Sequence, residues 1–294
     1  MSASAASIRR ASFAGAAAVL LWALLAPLTT FASRIPPFEL VALTFALAFL
    51  LGFAIRLARG GDLLGHLRQP LPVWILGVGG LFGYHFCYFT ALRLAPPIEA
   101  SLVSYLWPLL IVLGSGLITG ERLRWWHLLG ASAGLFGTVL LVTGGHGLKT
   151  DLAYLPGYAM ALAAAVVWAS YSVLSRRFGE VSSDAVGGFC GVTALMAAAC
   201  HLLLEPTVAP APGEWLAVLA LGLGPVGAAF FLWDHGVKHG SLRALGGFSY
   251  LAPLLSTVLL LVLGRGTLSL GLALGGLLIV GGAACAAGDL WRKA

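Results

Sequence analysis

Ser104-Tyr105-Leu106-Trp107-Pro108-Leu109-Leu110 returns 145 residues later as Ser249-Tyr250-Leu251-Ala252-Pro253-Leu254-Leu255. Only Trp107 and Ala252 differ. Both copies lie inside long apolar runs, so each reads as a membrane helix interrupted by proline. A proline there removes one backbone N–H and frees the carbonyl four residues earlier. That carbonyl belongs to Ser104 in one copy and Ser249 in the other. Inside a bilayer a freed carbonyl is tolerated only where protein, water or ligand reaches it. Interrupted helices at matching places in two halves point to a transport site. The alternative is that the prolines merely kink packed helices.

Composition agrees with a membrane chain. The 294 residues are 60% hydrophobic and 10% charged, and the mean hydropathy is +0.96. A soluble domain does not need so much apolar surface. Four cysteines (Cys87, Cys190, Cys200 and Cys285) lie in apolar runs without a C-x-x-C pair. They read as small packing residues, and no motif asks for a metal or a cofactor. Arg9-Arg10 ahead of an apolar run resembles a signal peptide. The run to Ser33 is long enough to span, however, and no A-x-A site closes it, so it is taken as a membrane helix.

A span needs about 20 apolar residues. Ten are expected: 11–33, 38–57, 72–92, 98–118, 125–143, 155–175, 184–204, 214–233, 243–263 and 268–288. With ten spans the termini share a side. Thirteen of the seventeen basic residues then fall on that side, and Arg34, Arg93, Lys149 and Arg265 fall opposite. The excess predicts cytoplasmic termini. Because the +6 charge is explained by topology, nucleic acid is dropped as a partner.

The 145-residue offset also relates Gly77 to Gly222, Arg93 to Lys238, Gly130 to Gly275 and Gly137 to Gly282, while Trp22 and Trp168 match within one residue. The predicted fold is therefore an all-α polytopic membrane protein with two five-helix repeats, residues 1–147 and 148–294. Five is odd, so the second repeat enters the membrane inverted.

Trp22, Trp107 and Trp168 fall near mid-span, where an indole N–H wants a partner. They are candidates for lining one cavity, and packing alone is the competing reading. Trp74, Trp125, Trp126, Trp215, Trp233 and Trp291 fall near span ends, as an aromatic belt would. The third span adds Tyr84 and Tyr88, four apart on one face, and His85, an ionisable group deep in the bilayer. His201 reads as interfacial. The remaining candidate substrate-binding residues are Ser104, Tyr105, Ser249 and Tyr250, with Pro108 and Pro253 as hinges. All eleven acidic residues, Asp234 included, are expected at span ends or in connections. No buried carboxylate is then left to carry a proton, and no phosphate-binding loop to use ATP.

These residues resemble a family. Ten short spans, the repeat, the prolines of spans four and nine, Gly120-Glu121-Arg122 and the Gly130, Gly134, Gly137 series are similar to the drug/metabolite transporter superfamily, EamA type. Tyr84-His85-Phe86-Cys87-Tyr88 and Tyr105-Leu106-Trp107-Pro108 look closest to its YddG-type exporters of aromatic and other amino acids. Gly264-Arg265-Gly266 departs from the Gly-Glu pair the family often repeats, and Glu121 is taken as an interfacial charge near Arg122 and Arg124.

The resemblance implies export of neutral amino acids by alternating access, in a multi-pass protein of the bacterial inner membrane. The substrate ring would stack on Trp107, Trp168 or Tyr250, and its ammonium would meet aromatic faces or freed carbonyls. The expected partners are a small-molecule substrate and the lipid bilayer, with the chain as a monomer. Movement is expected to be facilitated uniport. The alternative is export of other small metabolites or cationic drugs, with protons coupled through His85. A membrane enzyme is disfavoured, since no H-E-x-x-H motif occurs.

Overall fold

The computed structural model describes residues 5–62, 65–144, 151–264, 270–286 and 288. Lys149, Arg265, Asp289, Trp291, Arg292 and Lys293 lie outside the described residues, as does the expected boundary at 147/148. Among the described residues all regular structure is helical. Nine stretches there are long and apolar enough to cross a membrane, and Leu270–Ala286 is a shorter apolar helix.

In chain order these are α1 (Ala5–Trp22) with α2 (Leu25–Thr29), α3 (Pro37–Ala58), α4 (Leu71–Leu94), α5 (Pro97–Ser104) with α6 (Trp107–Leu117), and α7 (Trp125–Thr143). Then follow α8 (Leu155–Leu174), α9 (Ala185–Leu204), α10 (Pro212–Leu223) with α11 (Ala229–His239), α12 (Leu242–Ser249) with α13 (Leu251–Val262), and α14 (Leu270–Ala286). Prolines open several of them, as at Pro37, Pro97 and Pro212. The missing N–H is harmless in a first turn.

Four stretches are interrupted. Two breaks are those expected, at Tyr105-Leu106 and at Tyr250. The third, at Ala23-Leu24, stands four residues ahead of Pro27. In the fourth, Gly224–Ala228 forms one π-helical turn around Pro225. Proline and π-turns are the ordinary physical causes of such kinks.

Packing follows a scheme that returns to itself when the two halves are exchanged. The second stretch packs on the seventh (α3 on α9), the fifth on the tenth (α7 on α14), and the fourth on the ninth (α6 on α12). The third packs on the sixth (α4 on α8) and the first on the eighth (α1 on α11). Along α7 and α14 the backbones nearly touch. A Cβ on Gly130 would come within 2.6 Å of the Gly282 carbonyl oxygen, and one on Gly137 within 2.7 Å of that of Gly275. Small residues permit this approach, which supplies dispersion contacts that lipid cannot replace. The same helix spells Gly130-Ala131-Ser132-Ala133-Gly134, the G-x-S-x-G letters of a hydrolase elbow. It lies in a helix interior, not at a strand-to-helix turn, so no nucleophile is presented.

Candidate substrate cavity

All four breaks converge on one cavity of about 500 Å³. Trp22 ends α1, and its indole N–H donates to the Pro225 carbonyl at 3.0 Å. A carbonyl displaced by one proline turn is thus satisfied by a tryptophan beside another break. Ser104, Tyr105 and Trp107 line the cavity from the α5–α6 break, and Ala252 lines it from the α13 side.

The floor is made of three indoles, Trp22, Trp107 and Trp168, with a fourth, Trp233, packed against them. Trp22 lies 5.7 Å from Trp168, 6.2 Å from Trp107 and 5.0 Å from Trp233, ring centre to ring centre. Trp107 and Trp168 are 6.3 Å apart and meet edge to face, an arrangement that puts a positive ring edge on a negative ring face. The belt position expected for Trp233 is overturned. It is fully buried, and its N–H donates to the Ser172 hydroxyl at 3.1 Å. The helix continues past the expected end at 233 to His239, which leaves Trp233 inside the bundle.

Tyr84, His85 and Tyr88 form the wall on α4. Tyr84 stacks on Tyr88 at 5.8 Å and leans on Trp168 at 5.5 Å. Tyr88 shares a hydrogen bond with the Ser101 hydroxyl at 3.0 Å. His85 has its Nδ1 2.7 Å from the Leu81 carbonyl oxygen, so that nitrogen carries the proton. Its ring packs on Phe45 at 5.0 Å. From the floor the cavity runs toward the α2–α3 connection, where exposed Ser33 and Pro37 form part of its rim. Among the described lining residues there is no Asp, Glu, Lys or Arg.

Eight of the ten expected binding residues therefore line one space. Ser249 and Tyr250 do not. The Ser249 hydroxyl donates to the Leu245 carbonyl, and Tyr250 is fully buried in a separate core with Val112, Ala131 and Ile279. The break at Tyr250 turns that side chain away, toward Gly134 of α7. Pro108 and Pro253 are buried at the starts of α6 and α13. Phe230, Pro225 and Ser256 line the cavity unforeseen. Gly224-Pro225 within an apolar run was a readable sign of the extra break.

Below the indoles the expectation of no buried carboxylate fails. Asp234 is 1% exposed, 2.7 Å from the Lys238 ammonium and 3.1 Å from the Tyr171 hydroxyl that donates to it. The longer α11 again explains the miss. Glu121, expected as an interfacial charge near Arg122 and Arg124, has other partners. It pairs with Arg176, and its other oxygen lies 3.0 Å from the Arg243 Nε. His201, read as interfacial, is 6% exposed between Glu39 and Glu205. There Glu205 also accepts the Phe38 N–H at 3.0 Å, which satisfies the first turn of α3.

A helical bundle of this kind, broken around an aromatic cavity with no charged side chain among its described lining, is the architecture of a membrane transporter. The chain belongs to the EamA-like transporter family, which it matches over residues 9–143 and again over 155–288. It is 55% identical to the aromatic amino acid exporter YddG of Ancylobacter novellus, over 94% of this chain and 96% of that one. The exporter of the same name from Escherichia coli is 27% identical over 93% and 95%. One solved crystal structure superposes with a TM-score of 0.91 at 54% identity, over 96% of this chain and 99% of its own.

Proposed function

We propose that this protein exports amino acids, aromatic ones included, across the bacterial inner membrane by alternating access. The observation that carries this is the cavity itself, about 500 Å³ of aromatic rings and hydroxyls without a charged side chain among its described lining. A zwitterion brings no net charge and needs no buried counter-ion, whereas a net ion would pay heavily for desolvation here. Its ring stacks on indole and phenol faces, and its ammonium sits over a ring face, where the quadrupole is negative. The relatives' names point to the same class of substrate.

The topology proposed with this function is ten spans in two inverted repeats, 1–147 and 148–294, with both termini cytoplasmic and the chain acting as a monomer. The exchange-symmetric packing and the thirteen-to-four basic asymmetry support it. On that orientation the cavity opens outward and the indole floor closes the cytoplasmic side. Pro108 and Pro253 are the bending points.

Facilitated uniport remains the proposal for energy. Its first premise is gone, because Asp234 is buried. That carboxylate is already neutralised by Lys238 at 2.7 Å, and breaking such a pair leaves an uncompensated charge. Counterflow of labelled tryptophan and phenylalanine in proteoliposomes tests the reading. Exchange is expected without an imposed proton or sodium gradient. Accumulation driven by pH and lost in His85→Ala would favour the coupled alternative, and no exchange of any amino acid would end the reading.

A further inference from the structure

The two copies of the central motif differ at one position, and that position faces the cavity. Where the first copy has Trp107 the second has Ala252, and both line the same space. One turn further on, the same offset sets Ser256 opposite Ile111. Ile111 is fully buried packing in the core beside Trp107. Ser256 instead lines the cavity with Ala252, four residues apart on one face of α13. It is 9% exposed, and its Oγ, itself buried, has no hydrogen-bond partner among the described residues. A serine in a helix commonly bonds the carbonyl one turn back. Other hydroxyls of this chain do so, as Ser249 does to Leu245.

We propose that Ala252 and Ser256 form the subsite that receives the substrate's side chain and sets the choice among amino acids. The repeat fills this place with an indole in the first half and leaves it vacant in the second. The small side chain leaves room for a substrate ring in the cavity that Trp107 and Trp168 also line. Turned into the cavity about χ1, the Ser256 hydroxyl accepts the one polar hydrogen of such a ring, the indole N–H of tryptophan or the phenol O–H of tyrosine. Phenylalanine fills the same space without that bond. An unpaired buried hydroxyl is a standing cost that a hydrogen-bonding ligand removes.

This inference rests on the amino-acid reading. Its test is a graded series at position 252 (glycine, alanine, valine, phenylalanine, tryptophan), measured by counterflow of tryptophan against alanine. The ratio of tryptophan to alanine transport is expected to fall step by step, and at least tenfold by Ala252→Phe. A double variant, Trp107→Ala with Ala252→Trp, moves the bulk across the cavity and should regain part of the tryptophan transport lost in Ala252→Trp alone. Ser256→Ala should lower the tryptophan-to-phenylalanine ratio about three- to tenfold, the worth of one hydrogen bond. A flat ratio along the series in variants that keep their melting transition overturns the subsite. So does an unchanged ratio in Ser256→Ala. Absence of any counterflow by the unaltered protein sinks the amino-acid reading itself, which keeps the two failures apart.

Discussion

The two ends of the bundle are held shut, or left open, by different chemistry. At the end below the indoles, charges are gathered and paired. Asp234 meets Lys238, Lys238 also donates to the Val181 carbonyl, and Glu121 bridges Arg176 and Arg243. Those contacts tie the α6–α7 connection, the end of α8 and the start of α12 into one plug. At the other end, three of the positions that the repeat relates to these are apolar, while Lys238 corresponds to Arg93. Asp234 corresponds to Phe89, Arg243 to Ile98 and Arg176 to Phe31. Phe31 and Ile98 are about half exposed, at 48% and 50%. One bundle thus carries a paired ionic closure at one end and, at the related positions Phe31, Phe89 and Ile98, apolar side chains at the other. An ionic closure is directional and holds one geometry, while an apolar one is non-directional and tolerates sliding.

The sharpest way to break this comparison is to unbalance the buried pair. Asp234→Asn strands the Lys238 ammonium inside the bundle and should cost about 3–5 kcal/mol, read as a large drop in melting temperature in detergent. Asp234→Leu with Lys238→Met should recover most of it, because a matched apolar pair removes both charges.

Next in size is the floor between the two ends. Trp107→Ala and Trp168→Ala each remove a large buried ring, a change worth about 3–5 kcal/mol of packing. Transport should collapse in both at equal membrane expression. Trp125→Ala and Trp215→Ala, at 70% and 42% exposure, should leave it near the unaltered rate. Equal losses in the two sets would mean that the central indoles only pack.

A smaller effect is expected of Glu121→Gln. It should loosen the ionic end without touching the cavity. The reactivity of a reporter cysteine at buried Ser175, in a background without the native cysteines, should rise about three- to tenfold, as the loss of one charge-assisted bond predicts. Unchanged reactivity would show that the apolar contacts alone shut this end. Smallest of all is Arg34→Ala at the open end. Arg34 is 63% exposed and 3.8 Å from Glu214, and exposed pairs of this kind contribute about 0–1 kcal/mol. Melting temperature and counterflow should both stay within error.

Much of this was legible in residue order because membrane helices obey local rules. Length, hydropathy and the position of proline placed the helices, and the two motif prolines marked two of the four breaks. Pro27 and Gly224-Pro225 obey the same rule without being repeated, so a search for repeats passed over them. Tyr84, His85, Tyr88, Trp107 and Trp168 were found because mid-span polar and aromatic groups are expensive unless they serve a cavity. Ser249 and Tyr250 were placed wrongly because symmetry of sequence was taken for symmetry of direction. One break turns Tyr105 inward and the other turns Tyr250 outward. Asp234 and Trp233 were misplaced by a helix end. A hydropathy window stops at the first charge, whereas α11 continues through Asp234 because Lys238 is one turn away to neutralise it.

The glycine contact between α7 and α14 bears on how motion in this protein would be measured. Where carbonyl oxygens face glycine Cα atoms with no side chain between them, neither helix can slide or rotate without collision. The pair is therefore a fixed datum within a bundle where four other stretches are broken. Spin labels or fluorophores on the lipid-facing side of α7, at Phe136 for instance, provide a reference from which displacement of α1, α6 or α13 can be read as true movement and not as tumbling of the whole.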